Sequence, residues 1–477
     1  PLYSSAASDV YKRQLVLFTF SCSDEIMDEI DTDPNNPSDV PISMLMSGVT
    51  VGAPYWVAGT ELGWYCSIFV EHTAGAHGQM RDADRRANIN SQLSENSWAF
   101  FIYPRLLPDL KIIIEKGSEG GNEEGKWVDV GIAKVLMAYT MFVTTDTWGR
   151  VPYSEALLGK ENRYPAFDTQ ESIYEAMFDL LDEAIDDLQR ESVSIPGGED
   201  FIYAGDADAW VMAAYSLKAR YSNRLSNIDP AGSAAEALAA AANGFVSPLD
   251  DFTFDNFSTD PGHENTWYQE ENERKHHAVS VTFYNLLEEL NDPRIPLFFN
   301  QVGGEYVPAP NGTATQDQAG QIYSRISGNV IYDVAPLPIM TYSELKFIEA
   351  ECHLRKSSPD PAAALEAYED GLDAALASAG VDPADAQVYK TQPTVLPADA
   401  ANLTPEMIYA QKQIALWPYG AVEAYAEWRR TDFPTMTNPF DTPRRFPYPQ
   451  NEISGNGENV PDVTVYNGVW WDDGTED

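Results

Sequence analysis

The sequence predicts a mainly α-helical protein whose helices are interrupted by one long irregular excursion. Three observations point there. Apolar residues recur at helical spacing through residues 173–188, falling at Ile173, Met177, Leu180, Leu181, Ala184, Ile185 and Leu188. Two stretches open on a capping side chain with proline at the first helical position, Asp360-Pro361 and Thr404-Pro405; this satisfies a free amide and fixes φ where a helix begins. Residues 243–334, by contrast, are rich in Asp, Asn, Gly, Pro and aromatics; long excursions of this kind on a rigid scaffold carry binding groups.

Taken in order, residues 1–14 (PLYSSAASDVYKRQ) have no apolar period and resemble a translated sequencing-library scar. The apolar LVLFTF at 15–20, followed by Ser21-Cys22, reads as the tail of a truncated signal peptide ending in a lipobox, with Thr19 and Phe20 in place of the usual leucine and small residue. Cys22 is therefore the expected lipidation site, because Asp24 and Glu25 follow at once; the alternative is a plain N-terminal strand or a disordered start. The division is then 1–21 scar plus signal remnant, 22–40 lipid-anchor linker, and 41–477 one domain, since no linker interrupts the middle. The Gly/Glu-rich 115–125 is a loop between helices. Asp168 and Glu171 offer a capping box ahead of the 173–188 stripe. Residues 342–356 and 361–378 form a helix pair, the second presenting Leu365, Tyr368, Leu372, Ala375 and Leu376 on one face. From about 438 onward a Pro/Gly/Asn-rich tail reads as an irregular strap.

Charge excludes one class of partner. With 30 Lys plus Arg against 74 Asp plus Glu, the net is −44, and such a surface repels nucleic acid. Of the three cysteines, Cys66 and Cys352 lie in apolar segments, as unlinked buried thiols or as a long-range disulfide. No Gly-x-Ser-x-Gly elbow, phosphate loop or dinucleotide fingerprint occurs, so no catalytic residue and no cofactor are expected. Asp146 and Glu155 are the strongest catalytic candidates, but Asp146 reads as a helix-terminating, loop-bonding group, with Gly149 and Pro152 shaping the turn. His72 and His77 beside Glu71 are five apart and do not align on one helical face, so no metal site is expected.

The binding candidates are aromatic. Trp267 and Tyr268 are adjacent in the polar excursion, where flat rings could stack on sugar faces or clamp a peptide; the alternative is that they fill the loop's own small core. Tyr55-Trp56 and Gly63-Trp64-Tyr65 supply a second group, from which Trp56 and Trp64 are the candidate ligand contacts.

Several segments, in order, carry a resemblance: DTDPNNP at 31–37, IAKVLMAYTMFVTTDTWGRVPYSEALL at 132–158, DADAWVMAAYSLKARYSNRL at 206–225, NDPRIPLFF at 291–299 and PIMTYSELKFIEAE at 338–351. IALWPYGAVEAYAEWRRTDFPTM at 414–436 and RRFPYPQNE at 444–452 complete it. Together they resemble the SusD/RagB-like nutrient-binding lipoproteins of Bacteroidetes-type outer membranes. The resemblance implies a SusD-like scaffold of tetratricopeptide-type helix pairs, although the tryptophan signature of that repeat is missing, under an irregular layer that helps form the ligand face. It also implies a non-enzymatic protein, lipid-anchored in the outer membrane and facing the exterior. Such a protein passes oligosaccharide to a SusC-type TonB-dependent transporter. Peptide capture, as in RagB, is the nearest alternative, and a helical glycoside hydrolase is the alternative of another class. Trp428, Arg429 and Arg430 read as structural, closing an amphipathic helix where cations complement its negative end.

Overall fold

The computed structural model describes residues 39–475, so residues 1–14, the signal-like segment, Cys22 and DTDPNNP lie outside the described residues. The chain opens with α1 (Ile42–Gly52), α2 (Glu61–Phe69) and the short strand β1 (Thr73–Gly75), then α3 (Leu107–Gly117). Next comes α4 (Trp127–Trp148), the spine of the molecule. It is long and apolar enough to cross a membrane, but every one of its residues is buried in protein, which makes it a core helix here.

Helices then come in consecutive pairs. α4 packs on α5 (Gln170–Leu188), α6 (Ala207–Arg224) on α7 (Pro230–Ala241), and, after the loop layer, α10 (Tyr342–Arg355) on α11 (Pro361–Ser378) and α12 (Pro405–Leu416) on α13 (Ala421–Thr431). The proline starts behave as their sequences dictate: Asp360 accepts from the Ala363 amide and Thr404 from the Met407 amide. Small residues let the pairs close. Ala350, Ala364 and Ala367 are buried in the α10/α11 core, and a Cβ added at Gly371 would stand 3.1 Å from the Phe347 ring.

The expected capping box at 168–171 is corrected. Thr169 caps α5, its hydroxyl accepting from the Ser172 amide, while Asp168 accepts from the Tyr153 amide at 2.8 Å and the Ser154 amide at 2.9 Å. Asp168 is drawn away because it pairs with Val151 and so pins the turn after α4. In that turn Gly149 takes φ +83°, and a side chain there would run into the Arg445 guanidinium, which donates to the Trp148 carbonyl. Asp146 is a buried anchor in the last turn of α4: its carboxylate accepts from Tyr174 Oη at 2.5 Å and from Trp471 Nε1 at 2.6 Å, tying in the C-terminal tail.

A buried ionic network fixes how the pairs stack. Arg220 on α6 makes a two-pronged pair with Glu344 on α10, at 2.7 and 2.6 Å, and Arg224 reaches Glu423 on α13 at 2.6 Å. Arg430 grips Glu351 with both arms, at 2.6 and 2.7 Å, and also Glu427, while Lys412 on α12 lies 3.1 Å from Glu427. Arg430 is thus structural, as its sequence suggests. So is Arg429, which donates to the carbonyls of Asp146 and Arg444. Cys66 and Cys352 are free and buried.

Residues 243–334 and their flanks form the overlying layer. Its pieces are β2 (Phe252–Phe254), α8 (Thr266–Glu273), β3 (His277–Val279), α9 (Val281–Glu289) and β4 (Leu337–Met340). β3 pairs antiparallel with β1, Thr73 opposite Val279, and β2 with β4, Phe252 opposite Met340, so the layer is sewn both to the N-terminal region and to the head of α10.

Candidate functional site

The four aromatic candidates do not form a wall. Trp267 is fully buried, on α8 rather than in a loop, and packs in one cluster with Val279, Phe283, Phe298, Ile331 and Trp417. As a ligand-stacking ring it is corrected: the Asn265 side chain accepts from the Trp267 and Tyr268 amides, starting a helix whose inner face carries the indole into the core. Tyr268 and Trp64 are half-buried against the same cluster, so the fold brings these three together. Trp56 stands apart, stacked on Phe101 with ring centres 5.1 Å apart.

Above that cluster lies a cleft of about 280 Å³. This is close to the lower end of small-molecule sites, roughly 300–1,000 Å³. Its walls come from Pro248, Asp251 and Thr253 around β2, from Asn329, Val330 and Tyr332 at the end of the excursion, from the C-terminal turn of α11, and from Trp417-Pro418-Tyr419-Gly420 between α12 and α13. Trp417 forms its floor, wedged between Phe283 at 5.3 Å and Phe298 at 4.6 Å. The rim is held from two sides. The Tyr419 hydroxyl donates to the Val330 carbonyl at 2.7 Å; on the other side the Asn265 amide nitrogens reach the carbonyls of Asp333, at 2.6 Å, and Ala335, at 2.9 Å. The buried Trp267 therefore supports the cleft from beneath, through the cluster it shares with Trp417.

The cleft's polar side chains are of two kinds. Arg294 and Glu344 are spent on structure: Arg294 pairs with Asp292 and Gln411, Glu344 with Arg220. Thr253, Asn329, Tyr332 and Ser378, by contrast, line the cleft with side-chain polar atoms that make no hydrogen bond to protein among the described residues. Asp251 accepts from the Tyr342 amide through Oδ1 at 2.6 Å, and Oδ2 has no protein donor among the described residues. Burial, together with the neighbouring Asp250 and Glu344 carboxylates, pushes Asp251 up to about 7. Hydroxyls, an amide and a carboxylate beside an exposed tyrosine ring are what hydrogen-bonding and stacking against a polyhydroxylated ligand require.

Sequence reasoning located the region but not these residues. Tyr332 lies in the excursion and Tyr419 in the signature segment; nothing local marks either as part of a cleft wall. The histidines are structural: His72 Nε2 is 2.9 Å from Gln413 Oε1, and burial lowers its pKa to about 4, while His77 Nδ1 faces Gln316. No group of three or more His, Cys, Asp or Glu among the described residues is placed to hold a metal.

The chain is thus a scaffold of paired helices under a loop layer, with an aromatic and polar cleft where the two meet. Comparison with known proteins gives the family. The sequence model of the SusD-like family described as starch-binding and associating with the outer membrane matches residues 34–449, and the chain belongs to that family. Among solved structures, it is similar to a SusD/RagB family protein from Bacteroides thetaiotaomicron, with 29% identity, 92% of this chain and 100% of that one covered, and a TM-score of 0.82. It is likewise similar to a chitin-binding SusD homolog from Flavobacterium johnsoniae, at 25% identity, 90% and 98% coverage and a TM-score of 0.74. A SusD homolog from Bacteroides uniformis shares the fold at 23% identity, 91% and 100% coverage and a TM-score of 0.72. No curated protein matches the chain.

Proposed function

We propose that this protein captures oligosaccharide in the cleft between β2, the 329–335 loop and the Trp417–Gly420 turn, and does not cleave it. The observation that carries this reading is the set of side-chain polar atoms without a protein partner among the described residues, on Thr253, Asn329 and Ser378 and at Oδ2 of Asp251, around the exposed Tyr332 ring. The family description and the chitin-binding homolog support a glycan over a peptide. Tyr268, Trp56 and Trp64 keep part of their rings exposed and are candidate outlying contacts for a longer chain. The lipid anchor at Cys22 and delivery to a SusC-type TonB-dependent transporter complete the reading, on the strength of the signal-like segment and the family.

A soluble form beginning after Cys22, screened on glycan and peptide arrays, tests the capture reading. Glycan binding that is lost in Tyr332→Ala without product formation is the expected result; binding to peptides alone would overturn it. The anchor predicts that the protein with its native upstream sequence partitions into detergent and that Cys22→Ala does not, because stable anchoring needs more than one acyl chain on that cysteine. The partner predicts a co-purifying complex with a co-expressed SusC-type transporter, held by an interface of more than about 2,000 Å².

A further inference from the structure

We propose that Asp251 makes the cleft selective for uncharged sugars, excluding uronate-bearing or sulfated chains. This rests on the cleft being the glycan site. Charged side chains reach the cleft at Asp251, Arg294 and Glu344. Two of them are neutralised by geometry: Arg294 is closed in a two-pronged pair with Asp292, at 2.8 and 2.6 Å, and Glu344 in another with Arg220. Asp251 alone has no cationic partner. Its Oδ1 is committed to the Tyr342 amide and its Oδ2 stays open to an incoming group.

A sugar hydroxyl can donate to that oxygen, whereas a carboxylate or sulfate, having only acceptors, meets it with like charge. No arginine or lysine in the cleft is free to compensate. The chain's overall −44 charge repels anions too, but that field is screened beyond roughly 8 Å at physiological salt, while a contact inside a partly dehydrated cleft is not. Local and global repulsion are therefore separable by substitution.

Asp251→Asn is the informative variant. It keeps an oxygen for the Tyr342 amide and removes the charge, while the acceptor Oδ2 is replaced by an amide donor. The measurement is calorimetric titration at about pH 8.5, where an acid raised to about 7 is ionised, in about 0.15 M salt. The probes are malto- and chito-oligosaccharides and the same chains with C6 oxidised to carboxylate. The natural protein should bind at least one neutral chain, and its oxidised form at least tenfold more weakly. Asp251→Asn is read by the ratio of neutral to oxidised affinity, most of which gap should close; neutral affinity itself falls where a sugar hydroxyl donates to Oδ2. Equal affinity of the natural protein for neutral and oxidised chains overturns the charge selectivity while leaving glycan capture intact, as does a gap that persists in Asp251→Asn. Binding of none of the neutral chains overturns the capture reading and this inference together.

Discussion

The Tyr419 hydroxyl donates to the Val330 carbonyl at 2.7 Å, joining the turn between α12 and α13 to the end of the loop excursion. Those two segments are 89 positions apart, and this bond is what makes one cleft of them. Tyr419→Phe removes the bond and leaves a carbonyl at a partly wet rim. A stability loss of about 1 kcal/mol and a several-fold weaker glycan affinity are expected, read by chemical unfolding and titration. Unchanged affinity would mean that the rim does not need this clasp.

Trp267 and Tyr332 should separate stability from binding. Trp267→Ala opens a cavity under the cleft floor and should cost about 3–5 kcal/mol. Trp267→Phe should cost less, since the buried indole nitrogen has no hydrogen-bond partner to lose. Tyr332→Ala should leave the melting temperature nearly unchanged and weaken glycan binding by about thirtyfold, the cost of truncating an anchoring aromatic. The opposite pattern, a stable Trp267→Ala that no longer binds, would return the tryptophan to the ligand face.

The Arg430 pair is the test of the buried network. Arg430→Ala leaves Glu351 and Glu427 buried near one another with part of their compensation gone, and breaking such a pair costs about 3–5 kcal/mol. Urea unfolding should show the loss. A cost below about 1 kcal/mol would place these residues among the weak surface pairs instead.

Stability should peak on the mildly acidic side. Burial works to raise Glu427, but Arg430, Lys412 and Arg224 hold it below its ordinary 4.5, so its favourable contribution is present above that value and is lost as pH falls further. Glu61 and Asp84 run the other way: burial raises both to about 7, so the folded state holds their protons more tightly. Their contribution is complete below the ordinary values of 4.5 and 3.8 and is lost as pH rises through about 7. Melting temperature measured against pH should therefore climb from acid to about pH 5 and decline towards about pH 7. A curve that keeps rising through neutrality would contradict these two burials.

The sequence by itself determined several of the helices, because what starts and ends those is local. The Asp360-Pro361 and Thr404-Pro405 caps act within one turn, and the 173–188 stripe states which face is inward whatever it packs against. Its order of motifs also placed the chain in its family. Where two local signals competed, the choice belonged to the tertiary structure. Asp168 gave up capping because Val151 and the 153–154 amides lay within reach, and Thr169 took its place. Only the tertiary structure decided the site. A tryptophan in a polar stretch looks exposed, and Asn265 turned Trp267 inward by starting a helix that no apolar period announced. Tyr332, Tyr419 and Asp251 come from three distant segments, and they line one cleft where Tyr419 ties the end of the excursion to the α12/α13 turn and Asn265 holds that end from within the layer. Exposure is a property of what a residue fails to touch, and that depends on the whole chain at once.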